Sequence, residues 1–185
     1  SDVCSSDLTS VMPPLPKDVT TRGYWKDATT PDERNRRSIY TFVKRNLRYP
    51  LFAAFDMPDT HEVCSRRQVT ITPLQSLLLL NDETLLQSAK AFAERVVRET
   101  DGTRDRMIEQ AWRIALQRMP DAMERERARE FLRVQTEALS KRIERKEPIL
   151  GLSNLPPTLT GAEGGALLDL CHALLNTNEI GRAHV

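Results

Sequence analysis

The stretch Cys64-Ser-Arg-Arg-Gln-Val-Thr-Ile-Thr-Pro-Leu-Gln-Ser-Leu-Leu-Leu-Leu-Asn-Asp82 joins a basic run to a strongly apolar one. Val69 to Thr72 alternates β-branched residues, and a residue before proline is biased away from the helical basin, so the chain should reach Pro73 extended. A helix then begins. Thr72 suits the N-cap, Pro73 the first helical position, and Gln75, three residues after the cap, completes a capping box. Leu74, Leu77, Leu78, Leu79 and Leu80 cover more than one face, a pattern that predicts a buried helix around which the others collect. Five buried leucines at roughly 1.5–3 kcal/mol each would form a sizeable nucleus. The run is too short to span a bilayer. Asn81 is expected to take the left-handed turn that ends this helix, and Asp82 to cap the next.

Downstream the periodicity is helical. Glu83 to Glu99 carries Leu85, Leu86, Ala89, Phe92, Ala93, Val96 and Val97 on one face and is stopped by Gly102. Thr103 to Gln117 repeats the pattern with Met107, Ile108, Ala111, Trp112 and Ala115. A third amphipathic helix opens at Pro120 and runs to about Lys146, with Phe131, Leu132, Gln135 and Leu139 as a narrower buried stripe and Glu137–Lys141 as an i,i+4 pair. Pro148 to Gly161 reads as a linker. A last helix, about Ala162 to Leu175, sets Leu167, Leu168, Cys171, Leu174 and Leu175 on an apolar side and stops at Asn176.

Upstream the text is less regular. Thr9 to Pro31 is rich in proline and turns and holds the aromatic pair Tyr24-Trp25, read as packing on its own domain. Arg34 to Arg48 is basic around Ile39, Phe42 and Val43, and fits a strand or a helical face equally well. Tyr49 to Thr60 reads as a structured loop with packed apolar residues. Next comes the one dense polar cluster, from which Asp56, His61, Cys64, Arg66, Arg67 and, from the last helix, His172 emerge as candidate catalytic residues. A cysteine nucleophile would need His61 or His172 as base and a carboxylate such as Asp56 to orient it. The blander reading pairs Arg66 and Arg67 with Asp56 or Asp59.

The composition narrows the function classes. A net charge of +1 over 185 residues argues against a generic polyanion binder, so no nucleic acid is expected as partner. Asp2 to Leu8 and Glu179 to Val185 can be encoded by opposite strands of one DNA sequence, GACGTGTGCTCTTCCGATCT, which resembles a common sequencing adapter. Residues 1–8 and 180–185 are accordingly read as adapter-derived, 9–35 as an irregular connector and 36–179 as the helical domain, with the gene expected to continue past both ends. Cys64, Cys171, His61 and His172 then remain for chemistry. Their spacing fits no zinc finger, because Cys171 and His172 point about 100° apart on a helix, so no metal is expected. The two cysteines read either as a disulfide or as two buried thiols. Leu168 stands where Cys-x-x-Cys-His would need its first cysteine, so this segment attaches no haem. Phosphate loops, zinc-protease helices and nucleophile elbows are absent from the text.

Arg36-Arg-Ser-Ile-Tyr-Thr-Phe-Val-Lys-Arg45, Phe55-Asp56-x-Pro58, Cys64-x-x-Arg67, Thr72-Pro-Leu-Gln-Ser-Leu-x-Leu-Leu-Asn-Asp82 and Leu170-Cys-His-Ala-Leu-Leu-Asn-x-Asn-Glu179 occur in this order. Together they resemble the planctomycete-type domain of unknown function fifteen-fifty-three, the PSD-one family, over nearly all of residues 12–179. The resemblance implies the C-terminal portion of a large secreted bacterial protein, extracytoplasmic, whose upstream domains include a cytochrome c module carrying haem c. It carries no established activity. Where family members continue with Phe after the last motif, this chain turns into Ile180-Gly-Arg-Ala-His-Val185.

The expectation is a mainly α, compact helical domain of about five helices behind an irregular, partly extended N-terminal segment. In function it is an accessory or interaction domain, its partners the missing upstream domains and a polysaccharide or redox protein. The alternative is an enzyme, hydrolase-like or metal-dependent, with its site near Asp56–Arg67 and Cys171–His172. An enzyme needs those groups to converge in a pocket; an accessory domain needs them paired.

Overall fold

A computed structural model of the chain describes residues 12, 30, 38–44, 48–59, 61, 63–66 and 70–177. Two units divide it, Ser1–Gln75 and Ser76–Val185. The described residues form six α-helices and no strand, so the fold is mainly α.

In the first unit, a 3-10 turn over Ser38–Tyr40 and single bridge residues at Thr41 and Lys44 stand where strand and helix were equally legible. Arg34, Arg36, Arg37, Arg45, Tyr24, Trp25 and Val69 lie outside the described residues. A short helix, α1 (Pro50–Ala54), replaces the expected loop, opened by proline at its first position. The chain leaves it through Asp56 in the left-handed region, φ 58°, a conformation that aspartate tolerates better than most residues. Helix α2 (Pro73–Asn81) starts where Pro73 predicts, and the capping box is present. The Thr72 N–H donates to Gln75 Oε1 at 3.0 Å, and the Gln75 N–H reaches Thr72 Oγ1 at a long 3.4 Å.

The expected role of α2 as the buried nucleus is not realised. Leu74, Leu77 and Leu80 are 58%, 57% and 52% exposed, and the buried residue of this helix is Gln75. Nor does Asn81 turn left-handed. It stays helical, with its Nδ2 donating to the Leu77 carbonyl at 2.8 Å.

Four helices build the second unit: α3 (Glu83–Glu99), α4 (Arg104–Leu116), α5 (Ala122–Glu144) and α6 (Gly161–Leu175). Asp82 caps α3 by accepting from the N–H groups of Thr84 and Leu85. Thr100 closes it, and Gly102 at φ 80° turns the chain into α4. Gln117 ends α4 in the left-handed region. Helix α5 opens two residues later than expected, because Asp121 and Glu124 form a reciprocal capping box and leave Pro120 outside. A second such box, Thr160 with Glu163, opens α6, which Asn176 closes as expected.

The helix apolar on all sides and buried is α6. Ala166, Leu167, Leu168 and Cys171 are at most 1% exposed, and α6 packs on α3, α4 and α5. Its glycines let neighbours come close: a Cβ on Gly164 would meet Leu155 Cδ2 at 2.8 Å. The core adds Phe92, Ala93, Val96 and Val97 from α3, Met107, Ile108, Ala111 and Trp112 from α4, and Ala128, Leu132 and Leu139 from α5. Phe131, expected in that stripe, is 37% exposed, and Gln135 instead donates to Asp169 of α6 at 2.7 Å. Leu152 in the linker joins the core, and the Ser153 N–H donates to Glu94 Oε1 at 2.8 Å.

Charge fixes the α4–α5 register. Arg129 grips both oxygens of Asp105 at 2.7 and 2.8 Å, and Arg125 pairs with Glu109. Moving four residues forward on α4 moves four back on α5, so the helices run antiparallel. At the connecting turn Arg118 holds Glu124 bidentately at 2.7 and 2.6 Å. Those bonds, with the Asp121 N–H, push the Glu124 carboxyl down to about 2. The indole N–H of Trp112 lies close enough to add to this, without reaching bonding geometry.

Candidate functional site

The candidate residues in the first unit form a clasp. Asp56 follows α1, and its carboxylate folds onto Thr70, fourteen residues on: Oδ2 accepts from the Thr70 N–H at 2.6 Å, and both oxygens lie 2.9 Å from Thr70 Oγ1. Gln75 continues the chain of bonds, its Nε2 donating to the Ala54 carbonyl at 2.9 Å and to Thr70 Oγ1 at 3.3 Å. A buried amide must satisfy its polar atoms or lose free energy, and here both ends of Gln75 are used. The clasp thus ties the end of α1 to the start of α2.

Asp59 forms the next link. Its Oδ1 accepts from the His61 N–H at 2.9 Å, and its other oxygen pairs with Arg48. The His61 backbone bond, then Arg48, hold the Asp59 carboxyl below the usual carboxylate range. This corrects the expected pairing with Arg66: Asp59 is taken by Arg48 and Asp56 by Thr70. Arg66 offers its carbonyl to Cys64 Sγ at 3.3 Å. Arg67 lies outside the described residues.

Cys64 is exposed, not buried as a thiol pair would require, and both Cys64 and Cys171 are free. In the second unit Cys171 is fully enclosed, and burial pushes its thiol well above the ordinary value. A nucleophile needs the opposite shift. His172 Nε2 lies 3.2 Å from the Leu79 carbonyl, which can only accept, so this nitrogen carries the proton and links α6 to the end of α2. Among the described residues no group of three or more His, Cys, Asp or Glu side chains is placed to hold a metal ion, and no helix is long and apolar enough to cross a membrane.

Sequence reasoning missed Thr70 as the partner of Asp56 and Gln75 as the residue that ties Thr70 to the end of α1. Gln75 was legible as a capping residue, but its bond to Ala54 spans twenty-one positions and leaves no local signal.

A helical unit organised on one buried helix, preceded by a hydrogen-bonded polar clasp, defines an all-α domain in which Asp56, Asp59 and His172 are held in bonds within the protein. The chain belongs to the PSD1 family, described as "Protein of unknown function (DUF1553)", whose profile matches residues 4–132. That span includes the clasp, α2, α3, α4 and the first half of α5; the Leu170–Glu179 motif lies beyond it. No curated protein and no solved structure matches the chain.

Proposed function

We propose that this is a non-catalytic accessory domain of an extracytoplasmic bacterial protein, carried in the full-length chain beside a cytochrome c module and serving contact with a surface polysaccharide or a redox partner. The observation that carries the non-catalytic part is that both Asp56 oxygens bond Thr70, and among the described residues no histidine, where a catalytic cluster would set this carboxylate against its base. The compartment and the cytochrome module rest on what the family resemblance of the sequence motifs implies. The hydrolase-like or metal-dependent alternative would have its site near Asp56–Arg67 and Cys171–His172; of these groups, Cys171 is enclosed, which disfavours its thiolate.

Fractionation of a host expressing the full-length gene, with haem staining of the product, tests this reading. The proposal expects a haem-stained band in the extracytoplasmic fraction that still stains when this domain is deleted. A cytoplasmic product without haem contradicts it.

A further inference from the structure

We propose that the cavity at the end of the four-helix unit, where α4 and α6 begin, binds a short N-acyl group: a secondary amide with a small apolar acyl chain, borne by an amino sugar or by an acylated peptide end. The proposal stands independently of the compartment argued above.

The cavity holds about 210 Å³. That falls short of the roughly 300–1,000 Å³ of sites that enclose a drug-sized ligand, so it takes a fragment and leaves the remainder of the molecule in solvent. Its apolar wall comes from Met107, Leu132, Leu159 and Leu167, which suits a methyl or a short alkyl chain. Gly102 keeps the mouth clear, since a Cβ there would stand 3.0 Å from Thr158 Oγ1.

The polar edge decides the ligand's charge. Arg104 Nη2 donates to Glu163 Oε1 at 3.1 Å, while Glu163 Oε2 accepts from the Thr160 N–H at 3.0 Å and from Thr160 Oγ1 at 2.9 Å. The pair is neutral as a whole. A charged ligand would leave one charge uncompensated at the rim, whereas a neutral group with one donor and one acceptor leaves none. Arg104 keeps four N–H donors beyond its bond to Glu163, and Glu163 Oε1 keeps a lone pair. The hydroxyls of Thr136 and Thr158, also in the wall, make no hydrogen bond among the described residues. A secondary amide meets this set: its carbonyl accepts from Arg104, its N–H donates to Glu163, and its acyl carbon chain enters the apolar wall.

The test is an NMR titration of the full chain with N-acetylglucosamine, N-acetylalaninamide and, as the acyl-free control, glucose. The expected result is a saturable shift of the Gly102, Thr158 and Leu159 amides with at least one acylated probe and none with glucose; whichever acylated probe binds more tightly identifies the sugar or the peptide source. Filling the cavity by Thr136→Leu should weaken binding at least about tenfold, the scale of one misplaced methylene in an apolar pocket. Arg104→Gln, at a half-exposed position that folding tolerates, should weaken it as well. No saturable shift with either acylated probe, an equal shift with glucose, or unchanged affinity in Arg104→Gln overturns the proposal.

Discussion

Gly165 lies so close to Leu139 that a Cβ on it would stand 2.9 Å from Leu139 Cδ1. This contact is where α5 meets α6, and Leu139 is 5% exposed, with little room to retreat. Gly165→Ala gains about 1 kcal/mol of helix propensity and incurs about 1–3 kcal/mol of overpacking. Overpacking wins, and urea unfolding should show a net loss of about 1 kcal/mol.

Gly164→Ala is the informative contrast. Its Cβ would meet Leu155, which is only half-buried and can rotate away, so the propensity gain should offset the crowding to within about 0.5 kcal/mol. If Gly164→Ala costs more than Gly165→Ala, the close approach of α5 and α6 is not what limits side-chain size on α6.

These glycines also explain why the leucine run misled. Hydrophobic periodicity counts apolar residues, but burial depends on what can approach them. Gly164, Gly165 and Ala166 admit neighbours on several sides of α6, so three helices close around it; Leu77 and Leu80 present bulk without such partners. Helices α3, α4 and α6 were legible because their caps are local: Asp82, Gly102, Thr103 and Asn176 lie at or beside the observed ends. The start of α5 was misread on Pro120 although Asp121 with Glu124 three residues later spells a capping box. The clasp was illegible for a different reason, since Asp56 and Thr70 find each other only after the intervening chain has folded back.

The Glu124 carboxyl is pushed down to about 2, first by the Arg118 bonds, so the folded state holds its charged form while the unfolded chain takes up a proton sooner as pH falls. Its contribution is therefore complete above the ordinary glutamate value and is lost as pH drops from about 4.5 toward 2. Solvent screening at this half-buried pair leaves about 1–2 kcal/mol. Glu124→Gln should lower stability at pH 7 by that amount and flatten the difference from wild type below about pH 3. A constant difference across the range would show that the charge is not involved.

Arg129 and Asp105 are both roughly half exposed, at 41% and 48%. A double-mutant cycle with alanine should give a small favourable coupling that shrinks in about 1 M salt. A coupling insensitive to salt would mean that packing of the arginine stem, not charge, joins α4 to α5.

Iodoacetamide labelling with peptide mapping should modify Cys64 in the native protein and leave Cys171 untouched until denaturant is added, because one thiol is exposed and the other enclosed. Rapid native labelling of Cys171 would refute the burial on which its exclusion as a nucleophile rests.

The claim at the centre of this account is that Asp56 serves structure, and a stability cycle over Asp56→Asn and Thr70→Val tests it most directly. Asparagine keeps the tolerance for the left-handed backbone at this position, so the cycle reads the carboxylate alone. The account predicts that Asp56→Asn lowers unfolding free energy by about 1 kcal/mol and that part of the loss disappears in the Thr70→Val background, which removes the hydroxyl bonds and keeps the N–H bond. An Asp56→Asn protein more stable than wild type, as often follows removal of a group kept for activity, would contradict it.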